Sequence, residues 1–211
     1  MPVSGSAAML GPALVYLDWA GVAVFALSGA LVAAEKRLTF LTFVFFAVIT
    51  GVGGGTVRDL LIGAPVFWIR HNATLLICTA AAVTVWLLPA RSCRGQMLLW
   101  LDAAGLAAYA TYGAAKGLAY GVAPLPAMGM GVLTACVGGI VRDVLASEPS
   151  ILLRPELYVT AAALASGLMV ALLLLGMAPL AAGLLSTAAG FALRGAAIRF
   201  GWSLPAYSRN A

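Results

Sequence analysis

The chain is a succession of long apolar stretches separated by short polar breaks, and the breaks hold the residues that stop helices. They fall at Glu35-Lys36-Arg37, at Pro65 with Arg70-His71-Asn72, from Pro89 to Arg94, and at Pro124 with Pro126. Two more run from Glu148-Pro149 to Arg154-Pro155 and from Gly176 to Pro179. Proline cannot continue the helical hydrogen-bond ladder and glycine weakens it, so such clusters punctuate helices. A hydrocarbon core about 30 Å thick needs about 20 apolar residues per helix. The stretches between breaks therefore predict seven transmembrane helices, over 13–34, 39–61, 72–89, 97–118, 124–146, 156–176 and 178–198. The expected fold class is an all-α integral membrane protein.

The pattern repeats itself. Gly53-Gly54-Gly55-Thr56-Val57-Arg58-Asp59 returns as Val137-Gly138-Gly139-Ile140-Val141-Arg142-Asp143, a displacement of 84 residues. The same 84 separates Leu17-Asp18 from Leu101-Asp102, Gly29-Ala30 from Gly113-Ala114, and Pro65 from Pro149. Each repeat holds three spans. A second copy that begins after an odd number of crossings starts from the opposite side, so the two units are expected to be inverted relative to one another. The organisation predicted is an extracytoplasmic segment 1–12, repeat 1 over 13–93, repeat 2 over 97–176, a seventh helix over 178–198 and a tail over 199–211. The seventh helix offers Ala182, Ser186, Ala189 and Gly190 for close contact.

Composition supports the membrane reading: 63% of the residues are hydrophobic and 9% charged, where soluble domains carry about 25% charged residues. The net charge of +5 then needs no nucleic acid, because cations in such chains set orientation. Lys36, Arg37, Arg91, Arg94, Arg154, Arg194, Arg199 and Arg209 follow odd-numbered spans, against Arg70 on the other side. The positive-inside rule thus predicts an outside N-terminus and a cytoplasmic C-terminus. Residues 1–11 hold no Lys or Arg, so the first span is expected to be retained rather than cleaved. Cys78 and Cys136 fall in apolar spans and Cys93 in a basic loop, without spacing for zinc, a dithiol or a disulfide framework. His71, the single histidine, has no companions for a metal, and no paired carboxylate or nucleophile arrangement suggests an enzyme.

Candidate chemistry therefore rests on polar residues inside the spans. Gly53, Gly54 and Gly55, with Gly138 and Gly139, can break their helices and turn carbonyls toward a wet constriction; they can equally let helices pack closely. Arg58-Asp59 and Arg142-Asp143 follow those glycines. Adjacent helical residues do not face one another, so each is expected to find a different partner, in a pathway or at a helix end. Span 2 runs outward and span 5 inward, which puts Arg58 toward the outer face and Arg142 toward the cytoplasm. Lys116, whose repeat mate is Val32, is the asymmetric element: it snorkels to the interface, or it sits in a pore as a gate or as an anchor to a carboxylate. Asp18 and Asp102 are expected to cap or mark the mouths of helices 1 and 4. Ser28, Thr50, Tyr112 and Thr134 supply hydroxyls that can line water or bond their own helix.

These residues resemble a family. Gly51-Val52-Gly53-Gly54-Gly55-Thr56-Val57-Arg58-Asp59-Leu60-Leu61, continued by Gly63-Ala64-Pro65-Val66-Phe67-Trp68, is similar to the first half of prokaryotic trimeric intracellular cation (TRIC) channels. Gly113-Ala114-Ala115-Lys116-Gly117 and Gly138-Gly139-Ile140-Val141-Arg142-Asp143-Val144-Leu145 with Pro149 resemble the second half. The resemblance spans about positions 15 to 200. It implies inverted three-helix repeats plus a seventh helix, a homotrimer with a potassium-permeable pore in each protomer, helices 2 and 5 kinked at the glycines, and Lys116 at the pore. The second motif departs by placing Val137 where a third glycine is common. No cofactor is implied; the expected partners are other copies of the chain, membrane lipids and permeant potassium or sodium, in a bacterial inner membrane. Related sequences also carry the description glycine transporter, which keeps a small amino-acid carrier open. In that case Arg58 or Arg142 would take the carboxylate and Asp59 or Asp143 the amine. A lipid-sensing role, through Arg194, Arg199 and Arg209, is the third expectation.

Overall fold

The structure, a computed structural model, describes residues 11–69, 72–88, 95–151 and 156–205, with side chains from residue 16 onward. Arg70, His71, Arg91, Cys93, Arg94, Arg154 and Arg209 lie outside the described residues. Seven α-helices account for the expected spans: α1 (Gly11–Glu35), α2 (Phe40–Leu61), α3 (Asn72–Leu87), α4 (Gly95–Ala119), α5 (Pro124–Leu145), α6 (Val159–Leu174) and α7 (Pro179–Phe200). A single turn of 3₁₀-helix, Phe67–Ile69, precedes α3. Proline stands at the first turn of both α5 and α7, where its missing N–H costs nothing. Among the described residues, four helices are long and apolar enough to cross a bilayer: Tyr16–Glu35, Phe40–Leu61, Pro124–Leu145 and Pro179–Phe200. The apolar helices α3 and α6 have 16 residues each, or about 24 Å at 1.5 Å per residue. The chain is an all-α membrane protein.

Backbone geometry repeats with the sequence. Positive φ angles occur at Arg37 (54°) and Gly121 (79°), and again at Gly63 (65°) and Ser147 (55°); both pairs are 84 residues apart. Each such residue closes a helix, and the orphan carbonyls are taken up identically. Ala64 N–H donates to the Asp59 carbonyl at 2.8 Å and Glu148 N–H to the Asp143 carbonyl at 2.9 Å. Leu38 N–H donates to Ala33 and Val122 N–H to Gly117, both at 3.0 Å. These are helix C-caps in which a left-handed residue lets the chain fold back on its last carbonyls.

Packing is reciprocal across the two repeats. α1 is held by α2 and α3, α4 by α5 and α6, and the halves join through α1 with α4 and α2 with α5. In the first join, Phe25 and Tyr109 stack with centroids 5.2 Å apart. A Cβ on Gly21 would enter the Tyr109 ring, and one on Gly105 would lie 3.0 Å from the Phe25 ring. In the second, a Cβ on Gly54 would overlap the Thr134 carbonyl oxygen, and one on Gly138 would lie 2.5 Å from that of Thr50. The glycines thus let two helices meet backbone to backbone, with dispersion contacts that no larger residue permits.

Several expectations are corrected here. Of the two readings left open for the glycines, the helix break is not found and close packing is: α2 and α5 run unbroken through Gly53–Gly55 and Gly138–Gly139, with Gly54 and Gly138 against the facing backbone. Asp18 and Asp102 are each the eighth residue of a helix that begins at Gly11 or Gly95, beyond reach of the first-turn N–H groups that a cap would satisfy. Arg194 is fully buried and bonds Glu156 at 2.6 Å, so it cannot join Arg199 in meeting lipid headgroups. The apolar face of α7 around it packs on α4 and α6, and carries the guanidinium inward.

Candidate functional site

The charged residues expected within the spans form two buried clusters, one at the end of α2 and the other at the end of α5. A buried ion needs partners, because desolvation is not repaid otherwise, and each cluster supplies them in the same way. Arg58 Nε donates to Asp59 Oδ1 at 2.8 Å, and Arg142 Nε donates to Asp143 Oδ1 at 2.9 Å. The expectation that adjacent members of each Arg-Asp pair seek different partners is therefore corrected. The guanidinium stem is long enough to fold back along its own helix, and the fork places both Nε and an Nη on the carboxylate.

The other carboxylate oxygen ties down the loop that follows. Phe67 N–H donates to Asp59 Oδ2 at 3.1 Å and Ile151 N–H to Asp143 Oδ2 at 3.0 Å. The donor is eight residues after the aspartate in both repeats. Each Arg-Asp is thus a clasp that holds the returning loop against the helix end. Trp68 Nε1 adds a bond to Thr56 Oγ1 at 2.9 Å in repeat 1.

Beyond this shared core the clusters differ. At the α2 end, Lys116 on α4 donates to Asp59 Oδ1 at 2.8 Å, so Lys116 is an anchor to a carboxylate and is buried. Arg58 lies over the Tyr112 ring, 5.0 Å from its centroid, and faces Phe67 at 5.9 Å; cation–π attraction strengthens in a desolvated setting. Asp18 is also buried here, and its Oδ1 has no hydrogen-bond partner.

At the α5 end, the residue matching Tyr112 is Ser28, and the smaller side chain lets the arginine reach further. Arg142 Nη1 donates to Ser28 Oγ at 3.0 Å and to Asp102 Oδ1 at 2.9 Å, while Ser28 donates to the Phe25 carbonyl at 2.9 Å. Lys36 pairs with Glu148 at the exposed rim. Beside them lies a cavity of about 270 Å³, bordered by Glu35, Lys36, Asp102, Arg142, Asp143 and Glu148.

The remaining hydroxyls sit at the crossing between the clusters. Thr134 bonds its own helix at Met130, at 2.6 Å, whereas Thr50 Oγ1 is buried without a partner. The glycine-faced threonines mirror each other: a Cβ on Gly29 would lie 2.6 Å from Thr50 Oγ1, and one on Gly113 would lie 2.5 Å from Thr134 Oγ1. Two residues outside the expected set take part. Tyr109 joins this layer and donates to the Gly51 carbonyl at 2.8 Å, whereas Tyr158 belongs to the α5 end, where its ring lies 5.4 Å from the Arg194 guanidinium and its hydroxyl borders Gly139 beside Asp102. Tyr109 carried a usable signal, since its repeat mate is Phe25 and the extra hydroxyl marks a place where symmetry is broken. The loop donors Phe67 and Ile151 act through backbone N–H groups, which no side-chain pattern marks. Among the described residues, no group of His, Cys, Asp and Glu is arranged to hold a metal ion.

Comparison with known proteins places this architecture. A family model described as glycine transporter matches twice, at residues 15–90 and 99–174, which reproduces the two repeats. A UPF0126 membrane protein of Vibrio cholerae is 38% identical over 207 residues, covering 94% of this chain and 85% of its own. The UPF0126 inner membrane protein YadS of Escherichia coli K12 is 42% identical over 152 residues, or 70% of this chain and 73% of that one. Among solved structures, the TRIC trimeric intracellular cation channel orthologue from Rhodobacter sphaeroides superimposes with a TM-score of 0.83 at 41% identity, covering 90% of this chain and 98% of the other. A prokaryotic TRIC channel crystallised in 0.5 M KCl gives 0.81 at 27% identity, again over 90% and 98%. These relatives are membrane proteins and channels rather than enzymes. With its doubled Gly-Gly-x-x-Arg-Asp helices, its two buried Arg-Asp clasps and these matches over nearly its whole length, the chain belongs to the prokaryotic TRIC channel family.

Proposed function

We propose that the protein is a potassium-permeable monovalent-cation channel of the bacterial inner membrane, assembled as a homotrimer with a pore in each protomer between α2 and α5. The observation that carries this reading is the likeness to the Rhodobacter sphaeroides TRIC channel, at 41% identity and TM-score 0.83. The polar residues fit it. Buried charge is costly in a membrane and collects along ion pathways, and here it collects at the two ends of the α2–α5 crossing. Thr50 and Thr134, both fully buried, lie at the crossing itself. With Gly54 packed on the Thr134 carbonyl and Lys116 on Asp59, this conformation corresponds to a closed channel, and conduction requires those contacts to part. Lys116 is then the gate, Gly53, Gly54, Gly55, Gly138 and Gly139 the flexible constriction, and Arg58, Asp59, Arg142 and Asp143 its charged ends. The N-terminus is outside and the C-terminus cytoplasmic.

The test is single-protein current in a planar bilayer with potassium on both sides. Conductance steps are expected. Silence, with saturable glycine uptake into proteoliposomes, would instead support a glycine carrier. The description of the matching family model favours that second reading, and an Arg with a nearby carboxylate can in principle hold a zwitterion.

A further inference from the structure

The two repeats hold the same pair of buried charges in different states. Arg142 and Asp102 are joined, Nη1 to Oδ1, at 2.9 Å, and every guanidinium nitrogen of Arg142 meets an acceptor. Their mates at the 84-residue offset are Arg58 and Asp18. Both are buried, Arg58 at 0% and Asp18 at 4% exposure. Yet Arg58 Nη1 and Asp18 Oδ1 are each enclosed without a hydrogen-bond partner among the described residues, although the two groups act on one another's charge. A buried donor and a buried acceptor left apart each cost the desolvation that a bond between them would offset.

The difference lies on α4. The Tyr112 ring centroid is 5.0 Å from Arg58 Cζ, and Lys116, one turn further along the same face, donates to Asp59. Tyr112 and Lys116 thus grip the Arg58-Asp59 clasp from one side of one helix. The positions that match them in the other repeat are Ser28 and Val32 on α1, which offer neither ring nor ammonium. There the arginine goes to the aspartate instead, and Arg142 Nη1 donates to both Ser28 Oγ and Asp102 Oδ1. Repeat 1 therefore carries two grips for one guanidinium, Tyr112 with Lys116 from α4 and Asp18 from α1, and only the first is engaged.

We propose that Asp18 is a second seat for Arg58: when Tyr112 and Lys116 leave the α2 end, Arg58 Nη1 closes on Asp18 as Arg142 closes on Asp102. The clasp need not open for this, because Arg142 Nε stays on Asp143 while its Nη1 reaches Asp102. Lys116, in the last turn of α4, is then free to turn toward the interface. The exchange gives up one ammonium bond to Asp59 and a cation–π contact, and gains a charged hydrogen bond between two groups already desolvated. Two arrangements that trade one charged contact for another lie close in energy, as a switch requires. Naming the Asp18-bound arrangement as the conducting state rests on the channel reading; the exchange itself does not.

The test is a double-mutant cycle on the full-length protein in detergent, read as the thermal unfolding midpoint. Tyr112→Ser copies the residue of the other repeat and changes no charge. Asp18→Asn is expected to lower the midpoint of Tyr112→Ser by several degrees more than that of the wild type, because only the variant has the Arg58–Asp18 bond to lose. Equal falls in the two backgrounds overturn the proposal. Should Tyr112→Ser fail to fold, Lys116→Met takes its place, and the sign decides. With one cation removed, charge balance alone makes Asp18→Asn less damaging than in the wild type, whereas the exchange makes it more damaging. In planar bilayers, Asp18→Asn is expected to cut open probability about tenfold or more, the effect of one charged hydrogen bond lost from one of two states. Coupled midpoints with an unaltered open probability would overturn the assignment of the second seat to conduction, and coupled midpoints in a protein that never conducts would overturn only the channel reading.

Discussion

Lys116 and Asp59 join the two repeats through one oxygen: Lys116 Nζ lies 2.8 Å from Asp59 Oδ1, the same atom that Arg58 Nη2 meets at 2.8 Å. Removing either side has unequal consequences. Asp59→Asn strands two buried cations, and uncompensated buried charge of this kind costs about 3 to 5 kcal/mol. Lys116→Met leaves Asp59 still held by Arg58 and Phe67 N–H, so the loss is that of one charged hydrogen bond, about 1.5 to 3 kcal/mol. Thermal unfolding in detergent should rank the variants in that order, and equal destabilisation would contradict the shared-oxygen geometry. In bilayers, Lys116→Met should raise open probability if the contact is a gate.

The glycines of the motif should not respond alike. A Cβ on Gly53 meets nothing nearer than the Gly138 Cα, at 3.7 Å. Gly53→Ala is therefore tolerated and gains about 0.5 to 1 kcal/mol of helix propensity. Gly54→Ala would drive a methyl group into the Thr134 carbonyl and force α2 from α5. It is expected to lower the unfolding midpoint or abolish folded protein, and normal yield with unchanged stability would refute the backbone contact.

Ser147 occupies a left-handed position, φ 55°, where its repeat mate Gly63 has φ 65°. A side chain there strains the backbone, so Ser147→Gly should stabilise the protein by about 1 kcal/mol. An unfolding midpoint that stays still or falls would show that the serine is held there at no cost.

Tyr109→Phe removes the donor to the buried Gly51 carbonyl and leaves the ring stacked on Phe25. The expected loss is about 1 to 2 kcal/mol, read by unfolding, with the fold kept because position 109 then matches position 25.

The helices, their number and their inverted duplication were legible because apolar length and an ungapped 84-residue offset are one-dimensional signals. The site was legible only in outline. Arg58, Asp59, Arg142 and Asp143 stood out as buried charge, but their pairing depended on an arginine stem folding back, which spacing along a helix argues against. Asp18 and Asp102 resembled caps because an aspartate near a helix start commonly is one, although the apolar runs 13–17 and 97–101 ahead of them already belong to α1 and α4. The doubled glycines could not be sorted into breaks or contacts, since that depends on a carbonyl supplied by a residue of the other repeat, Thr134 for Gly54 and Thr50 for Gly138. Arg194 looked like a loop cation because nothing local distinguishes a charge that points inward from one that points out.

The reciprocal contacts of α1 with α4 bear on how the molecule can be assembled. Gly21 receives the Tyr109 ring and Gly105 lies against Phe25, so each half carries both a socket and the plug for the other's socket. A three-helix unit on its own would leave an aromatic ring and a bared helix backbone facing lipid. Two polypeptides divided between α3 and α4 should therefore be degraded when made singly and should recover a native complex when made together. In this sense the protein behaves as a covalently linked heterodimer of two former equals.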